Sequence, residues 1–189
     1  MDADVTGYKR LKEPSLNRLA LISIPVGISV AALLFIISQL LTSIDLSINI
    51  LFLFNDFKRI AFAFFGFIIF NILIIIIHEF LHAIIFPEKL SSDNIIFGVY
   101  NKVAFFAFYK CDIKRERMVL CILFPLLILS IVPLIIIVIL NINLPILNIL
   151  ILYHVTLAAG DIVGIYLILS GSPKNASIKN KGYLTYFKT

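Results

Sequence analysis

Long uncharged apolar runs alternate along this chain with short charged segments. Leu19 to Ile44, Ile60 to Ile77 and Met118 to Tyr153 hold 26, 18 and 36 residues without an ionic or histidine side chain. Runs of this kind read as membrane-spanning helices, because about 20 residues rising 1.5 Å each cross the hydrocarbon core. The third run is too long for one crossing, and Asn141-Ile-Asn-Leu-Pro145 breaks it. Four spans are therefore expected. They are Leu19–Leu41 with Pro25 and Gly27 near its start, Ile60–Phe86 stopped by Pro87, Met118–Leu140 carrying Pro125 and Pro133, and Ile146–Leu169 ended by Ser170-Gly-Ser-Pro173.

The intervening segments differ in character. Ile44 to Phe57 is apolar but interrupted by aspartates, which places it in the membrane interface. From Asn94 to Ile113 the chain is rich in β-branched and aromatic residues on either side of Asn101-Lys102. That pattern predicts a β-hairpin on or dipping into the membrane, with a short interfacial helix as the alternative. Lys174 onward is basic and shows no periodicity. The expected fold class is an all-α membrane protein of about four transmembrane helices, with a short β-hairpin between the second and third. Its divisions are an N-terminal segment 1–18, an integral-membrane domain 19–170 and a basic tail 171–189. The first span is too long for the apolar core of a cleaved signal peptide and lacks a small-x-small site, so it reads as an uncleaved anchor.

Composition and charge agree with this. At 61% hydrophobic residues and mean hydropathy +1.06, the chain has no room for a large water-soluble domain. The net charge of +5 does not point to nucleic acid, because the basic residues flank the apolar runs. Four Lys and Arg precede the first span, six lie in 88–117 and four in the tail, against two between the first two spans and none in 141–145. That imbalance predicts a multi-pass protein of the cell membrane with both termini cytoplasmic and the lipid bilayer as its partner. Cys111 and Cys121 have no motif spacing and read as incidental thiols.

The chemistry sits at the cytoplasmic end of the second span, in His78-Glu79-Phe80-Leu81-His82. Ionisable side chains inside a span are costly and mark function. Two histidines four residues apart face the same way on a helix and can reach one Zn²⁺, while the adjacent carboxylate has the place of a general base. A catalytic zinc wants a third protein ligand. The soluble HExxHxxGxxH extension is absent, since Ala83-Ile-Ile-Phe-Pro87-Glu88 follows His82. The remaining in-membrane candidates are His154 and Asp161, seven residues apart on the fourth span. Asp161 and His78 each lie eight residues from the cytoplasmic end of their spans, roughly 12 Å deep, with His154 about 10 Å deeper. Depth favours Asp161 as the ligand and makes His154 a surrounding contact. Asn71, seven residues before His78, is a candidate for contact with substrate or His154, or else an interhelical amide contact. Ala158, Ala159, Gly160 and Gly164 would let the second and fourth spans approach closely.

Together, His78-Glu79-Phe80-Leu81-His82 on a span, the basic strand-like loop, the proline-bearing third span and Ala159-Gly160-Asp161 resemble the putative zincin peptidase family of small bacterial membrane proteins. More distantly the arrangement looks like the site-2 protease-type metalloproteases. The resemblance spans roughly residues 15 to 170. It implies one Zn²⁺ held by His78, His82 and Asp161, Glu79 as the catalytic base, and peptide substrates cut near the cytoplasmic leaflet. The chain departs from the site-2 proteases around Asp161, which is followed by Ile162 where they carry Asp-Gly. Two other readings stay open on sequence alone. One is a non-catalytic metal-binding protein acting as an immunity or partner protein. The other is a small transporter with Glu79, His154 and Asp161 as a relay.

Overall fold

Asp56 starts the helix that carries the histidines: its side chain accepts the Lys58 N–H at 3.1 Å, a standard N-cap contact. In the computed structural model, which describes residues 5–41, 56–100, 104–142, 144–181 and 184–189, that helix is α2, Phe57–Ile84. It follows α1, Leu16–Leu41. The interfacial segment expected at 44–57 falls, except for its last two residues, outside the described residues. The helix ends at Ile84, two residues short of Phe86. Arg117 reaches across to bind the Ile85 and Phe86 carbonyls at 2.8 Å each, so the turn before Pro87 is tied down by a cation at a helix C-terminus.

The third span is continuous from Arg115 to Ile139 but not uniform. It consists of α3, Arg115–Leu126, a π-helical turn Leu127–Ile131, and α4, Val132–Ile139. Pro133 has no N–H to donate, and its ring crowds the carbonyl one turn earlier, so the widened turn lies where the sequence demands it. The fourth apolar stretch is not the single straight helix expected from hydropathy. It is α5, Pro145–Leu157, and α6, Ala159–Gly171, bent by 44° at Ala158. Among the described residues three helices are long and apolar enough to cross a membrane, and four if the bent pair counts as one span. Their outer faces are apolar, with Phe62 of α2 82% exposed, which suits lipid rather than water.

Gly27 sets how closely α1 approaches that bend. A Cβ there would stand 2.7 Å from the Ala159 Cβ and 3.1 Å from the Thr156 carbonyl oxygen. Only the missing side chain lets the two backbones meet.

Among the described residues, two small antiparallel sheets complete the fold. The hairpin pairs β2, Ile95–Tyr100, with β3, Ala104–Tyr109, in a register that sets Ile95 opposite Tyr109. Its expected turn at Asn101-Lys102 lies outside the described residues. Its base is tied to the end of α2 through Glu88, which accepts from the Ser92 hydroxyl, from Tyr109 Oη at 2.6 Å and from Asn94 Nδ2 at 3.0 Å. These donors, Ser92 first, hold the Glu88 carboxyl below the usual range. Burial and the bond to Glu88 push the Tyr109 phenol up.

The second sheet adds to the mostly helical fold what the all-α expectation left out, strands in the stretch from Lys174 onward that showed no periodicity. Its strand order is β1–β6–β5–β4, made of Lys9–Arg10, Leu184–Lys188, Ser177–Lys181 and Ile113–Lys114. Strands of two to five residues leave too short a hydropathy pattern to read. Pairing joins the N-terminal segment, the 88–117 loop and the tail, so these three basic segments lie on one side of the helices. Beneath this sheet Ile113 and Ile178, 1% and 0% exposed, pack with Ala83, Phe86, Met118 and Cys121. This core fixes the end of α2 against α3.

Candidate metal centre

The four-residue spacing on α2 does what helical geometry requires: the rings of His78 and His82 lie 4.7 Å apart, edge to face, with their Nε2 atoms 3.1 Å apart. The orientation of each ring comes from its other nitrogen. His82 Nδ1 stands 2.8 Å from the Cys121 carbonyl oxygen, which can only accept. His82 therefore carries its proton on Nδ1 and turns a bare Nε2 lone pair toward His78. His78 Nδ1 is 3.0 Å from His154 Nε2, and His154 Nδ1 is 2.7 Å from Ser130 Oγ. Ser130 sits on the π-helical turn, fully buried, with the Ile151 carbonyl 3.4 Å from its hydroxyl.

Asp161 comes from the first turn of α6. Its Oδ2 lies 2.9 Å from His78 Nε2 and 3.6 Å from His82 Nε2. Three donor atoms thus form a triangle with edges of 3.1, 2.9 and 3.6 Å. Ligands about 2.0–2.1 Å from a tetrahedral zinc ion stand about 3.3 Å apart, so the triangle has the size of one face of such a site. Asp161 Oδ2 is also buried, and among the described residues its polar neighbours are the two imidazole nitrogens. A lone pair from His82 beside this carboxylate is unfavourable unless a proton on His78 Nε2 or a cation lies among them. The donor set of two imidazoles and a carboxylate suits zinc.

Glu79 stands next to this triangle rather than within it. A ligand atom from each of His78, Glu79 and His82 lies within 4.8 Å of the others. The Glu79 carboxylate is nonetheless drawn toward the hairpin, where Oε2 accepts the Ala107 N–H at 2.7 Å. A cavity of about 270 Å³ opens here, lined by Glu79, His82, Asp161, Ala107, Tyr109 and Asn180 among others. A second, of about 240 Å³, is lined by His78, Glu79 and His154 together with Ile74, Ile75, Phe105 and Leu157.

The structure thus brings His78, Glu79, His82, Asp161 and His154 together. The depth argument separated His154 from His78 by assuming a straight fourth span. The bend at Ala158 alters that geometry, and the His78 imidazole itself covers the distance, with Nδ1 toward His154 and Nε2 toward Asp161. Asn71 is elsewhere. Its Oδ1 accepts from Tyr153 Oη and its Nδ2 donates to the Phe67 carbonyl at 2.7 Å, so it makes the interhelical contact, with the residue that precedes His154 rather than with His154 itself.

Sequence reasoning missed three participants. Ser130 had a signal, a hydroxyl inside an apolar run between two prolines. The Ala107 N–H and the Cys121 carbonyl are main-chain groups and leave no mark on the sequence.

A family model described as "Putative zincin peptidase" matches residues 71–177, more than half of the chain, and covers every side chain of the cluster from His78 to Asp161. No curated protein and no solved structure matches the chain.

Proposed function

Since the chain belongs to the putative zincin peptidase family, we propose that it is a membrane-embedded zinc metalloendopeptidase acting on peptide bonds near the cytoplasmic leaflet. The observation that carries this reading is the position of Glu79, a carboxylate beside a zinc-sized triangle of donors and on the wall of an open cavity.

In this reading His78, His82 and Asp161 hold the ion. Bound there, zinc supplies Lewis acidity toward a scissile carbonyl and brings the pKa of water toward neutrality. Glu79 takes the proton of the attacking water and returns it to the leaving amine, the two roles of a general base that becomes a general acid. The Ala107 N–H keeps its carboxylate aimed at the cavity rather than at the ion. The Cys121 carbonyl fixes the tautomer of His82, and Ser130 acting through His154 orients His78, as outer partners of ligating histidines do.

The hairpin supplies the place for substrate. A main-chain N–H directed at Glu79 is directed away from β2, so the outer edge of β3 runs past the site. An extended peptide pairing along that edge would present its backbone to Glu79. The cytoplasmic side is favoured by the shared sheet, which gathers 14 of the 16 Lys and Arg residues on the segments it joins.

Replacing Glu79→Gln tests the mechanism. The variant is expected to bind one zinc ion per chain and to cleave no peptide. Zinc bound by four protein ligands, with wild type as inactive as the variant, would instead make this a structural metal site.

A further inference from the structure

An open depression of about 430 Å³ lies where the end of α2 meets the start of α3, apart from the residues of the candidate metal centre. It is lined by Ile84 and Ile85 on one side and by Glu116, Arg117 and Leu120 on the other. On α3, Leu120 is four residues from Glu116 and three from Arg117, so both charges border the patch of helix that Leu120 covers. Leu120 also lies further along the span, about 6 Å beyond Glu116 at 1.5 Å per residue. Leu120 and Ile84 are 45% and 43% exposed, aliphatic surface that suits lipid. Charges at the end of a span with exposed aliphatic groups deeper along it have the polarity of a phospholipid, head group above acyl chain.

The charges are arranged for a ligand of both signs. Arg117 donates from Nε to the Ile85 carbonyl and from Nη2 to the Phe86 carbonyl, at 2.8 Å each. A guanidinium carries five N–H groups in one plane, so three remain after these two bonds. The bonds also hold that plane in place, and a cation fixed beforehand loses little freedom when an anion arrives. The Glu116 side chain is 63% exposed, and its ion-pair contact is Arg115 Nη1 at 4.0 Å, the outer limit for such a pair. Arg115 is itself engaged elsewhere, with Nη2 donating to the Leu169 carbonyl of α6 at 2.8 Å. Among the described residues no ion pair joins Glu116 to Arg117, although they are adjacent and border the same depression. Opposite charges that share an open space without pairing suit a group that carries both.

We propose that this depression binds one phospholipid whose zwitterionic head group ends in a primary ammonium. Its phosphate would lie on Arg117, its ammonium on Glu116 and an acyl chain along Leu120 and Ile84. A primary ammonium gives a carboxylate up to three N–H donors, and a trimethylated one gives none. An anionic head group without an ammonium would satisfy Arg117 but set a negative charge beside Glu116. Head-group selectivity thus follows from the pair of charges and not from positive charge alone. The site is independent of the metal and of the peptidase reading.

The experiment uses the full purified chain, stripped of lipid in detergent, and native mass spectrometry. The probes are phosphatidylethanolamine, phosphatidylcholine and phosphatidylglycerol with the same acyl chains. Wild type is expected to hold one phosphatidylethanolamine per chain about fivefold to tenfold more tightly than either other lipid, the worth of one hydrogen bond at an exposed charged group. Glu116→Gln should lose that preference, and Glu116→Lys should turn it toward phosphatidylglycerol. Neither is expected to lower Tm, because the carboxylate is exposed and its one ion pair is long. Equal retention of the three lipids by wild type overturns the proposal, and so does tighter retention of phosphatidylglycerol. A preference that survives in Glu116→Gln overturns it as well. Glycerophosphoethanolamine, the head group without acyl chains, should not displace the lipid at equal concentration; displacement would make the ligand a soluble phosphate ester and overturn the lipid assignment.

Discussion

The two halves of the candidate metal centre are built in opposite ways. The α2 half, His78, Glu79 and His82, is local: one uninterrupted helix brings its groups together by spacing alone. The half formed by His154 and Asp161 comes from two helices that meet at a 44° bend, and its geometry depends on α1 fitting into that bend at Gly27. The first half would present two imidazoles on any helix. The second becomes a ligand set only once the bundle has packed. The centre therefore joins a motif that any straight helix displays to a carboxylate that only this tertiary arrangement can deliver.

The sharpest way to break that comparison is to remove one ligand from each half. His82→Ala and Asp161→Ala are both expected to weaken zinc binding by more than the ~10–100-fold that loss of an outer partner brings, as read by chelator competition on purified protein. Retention of wild-type affinity by Asp161→Ala would show that the local half suffices and that the second half is not a ligand set.

The outer partners come next. His154→Ala leaves His78 Nδ1 without its neighbour and should weaken zinc binding about 10–100-fold. His154→Gln, which keeps an acceptor and a donor, should recover part of that, and Ser130→Ala should cost less than His154→Ala. Equal affinity in all three variants would mean that the π-helical turn has no bearing on the metal.

Packing at the bend is tested without touching the site. Gly27→Ala sets a Cβ 2.7 Å from that of Ala159 and is expected to cost about 1–2 kcal/mol of stability, seen as a lower Tm. Gly66→Ala on α2, where a Cβ meets nothing within 4 Å, is the control and should not lower it. If both behave alike, the close approach of α1 does not hold the second half in place.

The smallest effect concerns the hairpin. The hydroxyl of Ser92, the phenol of Tyr109 and the amide of Asn94 depress the folded-state pKa of Glu88 relative to the unfolded chain. The stability this contributes is present above the ordinary carboxylate range and is lost as pH falls through the lowered folded value. Acidification should therefore loosen β2 and β3, read as faster amide hydrogen exchange over residues 95–109. Glu88→Gln, which cannot titrate, should flatten that pH dependence.

The apolar runs, the helix carrying His78 to His82, the strand pair in 94–113 and the place of Asp161 near that helix's histidines were legible because each depends on a period or a cost that is local in sequence. Buried ionisable groups in an apolar run are conspicuous wherever they fall. The second sheet was not legible, since strands as short as Lys9–Arg10 and Ile113–Lys114 acquire partners only across the whole chain. Nor was the bend at Ala158: neither hydropathy nor the small residues there distinguish a straight crossing from a broken one.

The sequence by itself determined that two imidazoles stand one helical turn apart in an apolar helix with a carboxylate beside them, because 3.6-residue periodicity and the penalty for burying charge act at short range. Only the tertiary structure decided which groups surround them. Asp161 Oδ2, His154, the Cys121 carbonyl and the Ala107 N–H reach the centre from three other parts of the chain. The positions of main-chain donors and acceptors follow from packing and not from side-chain identity.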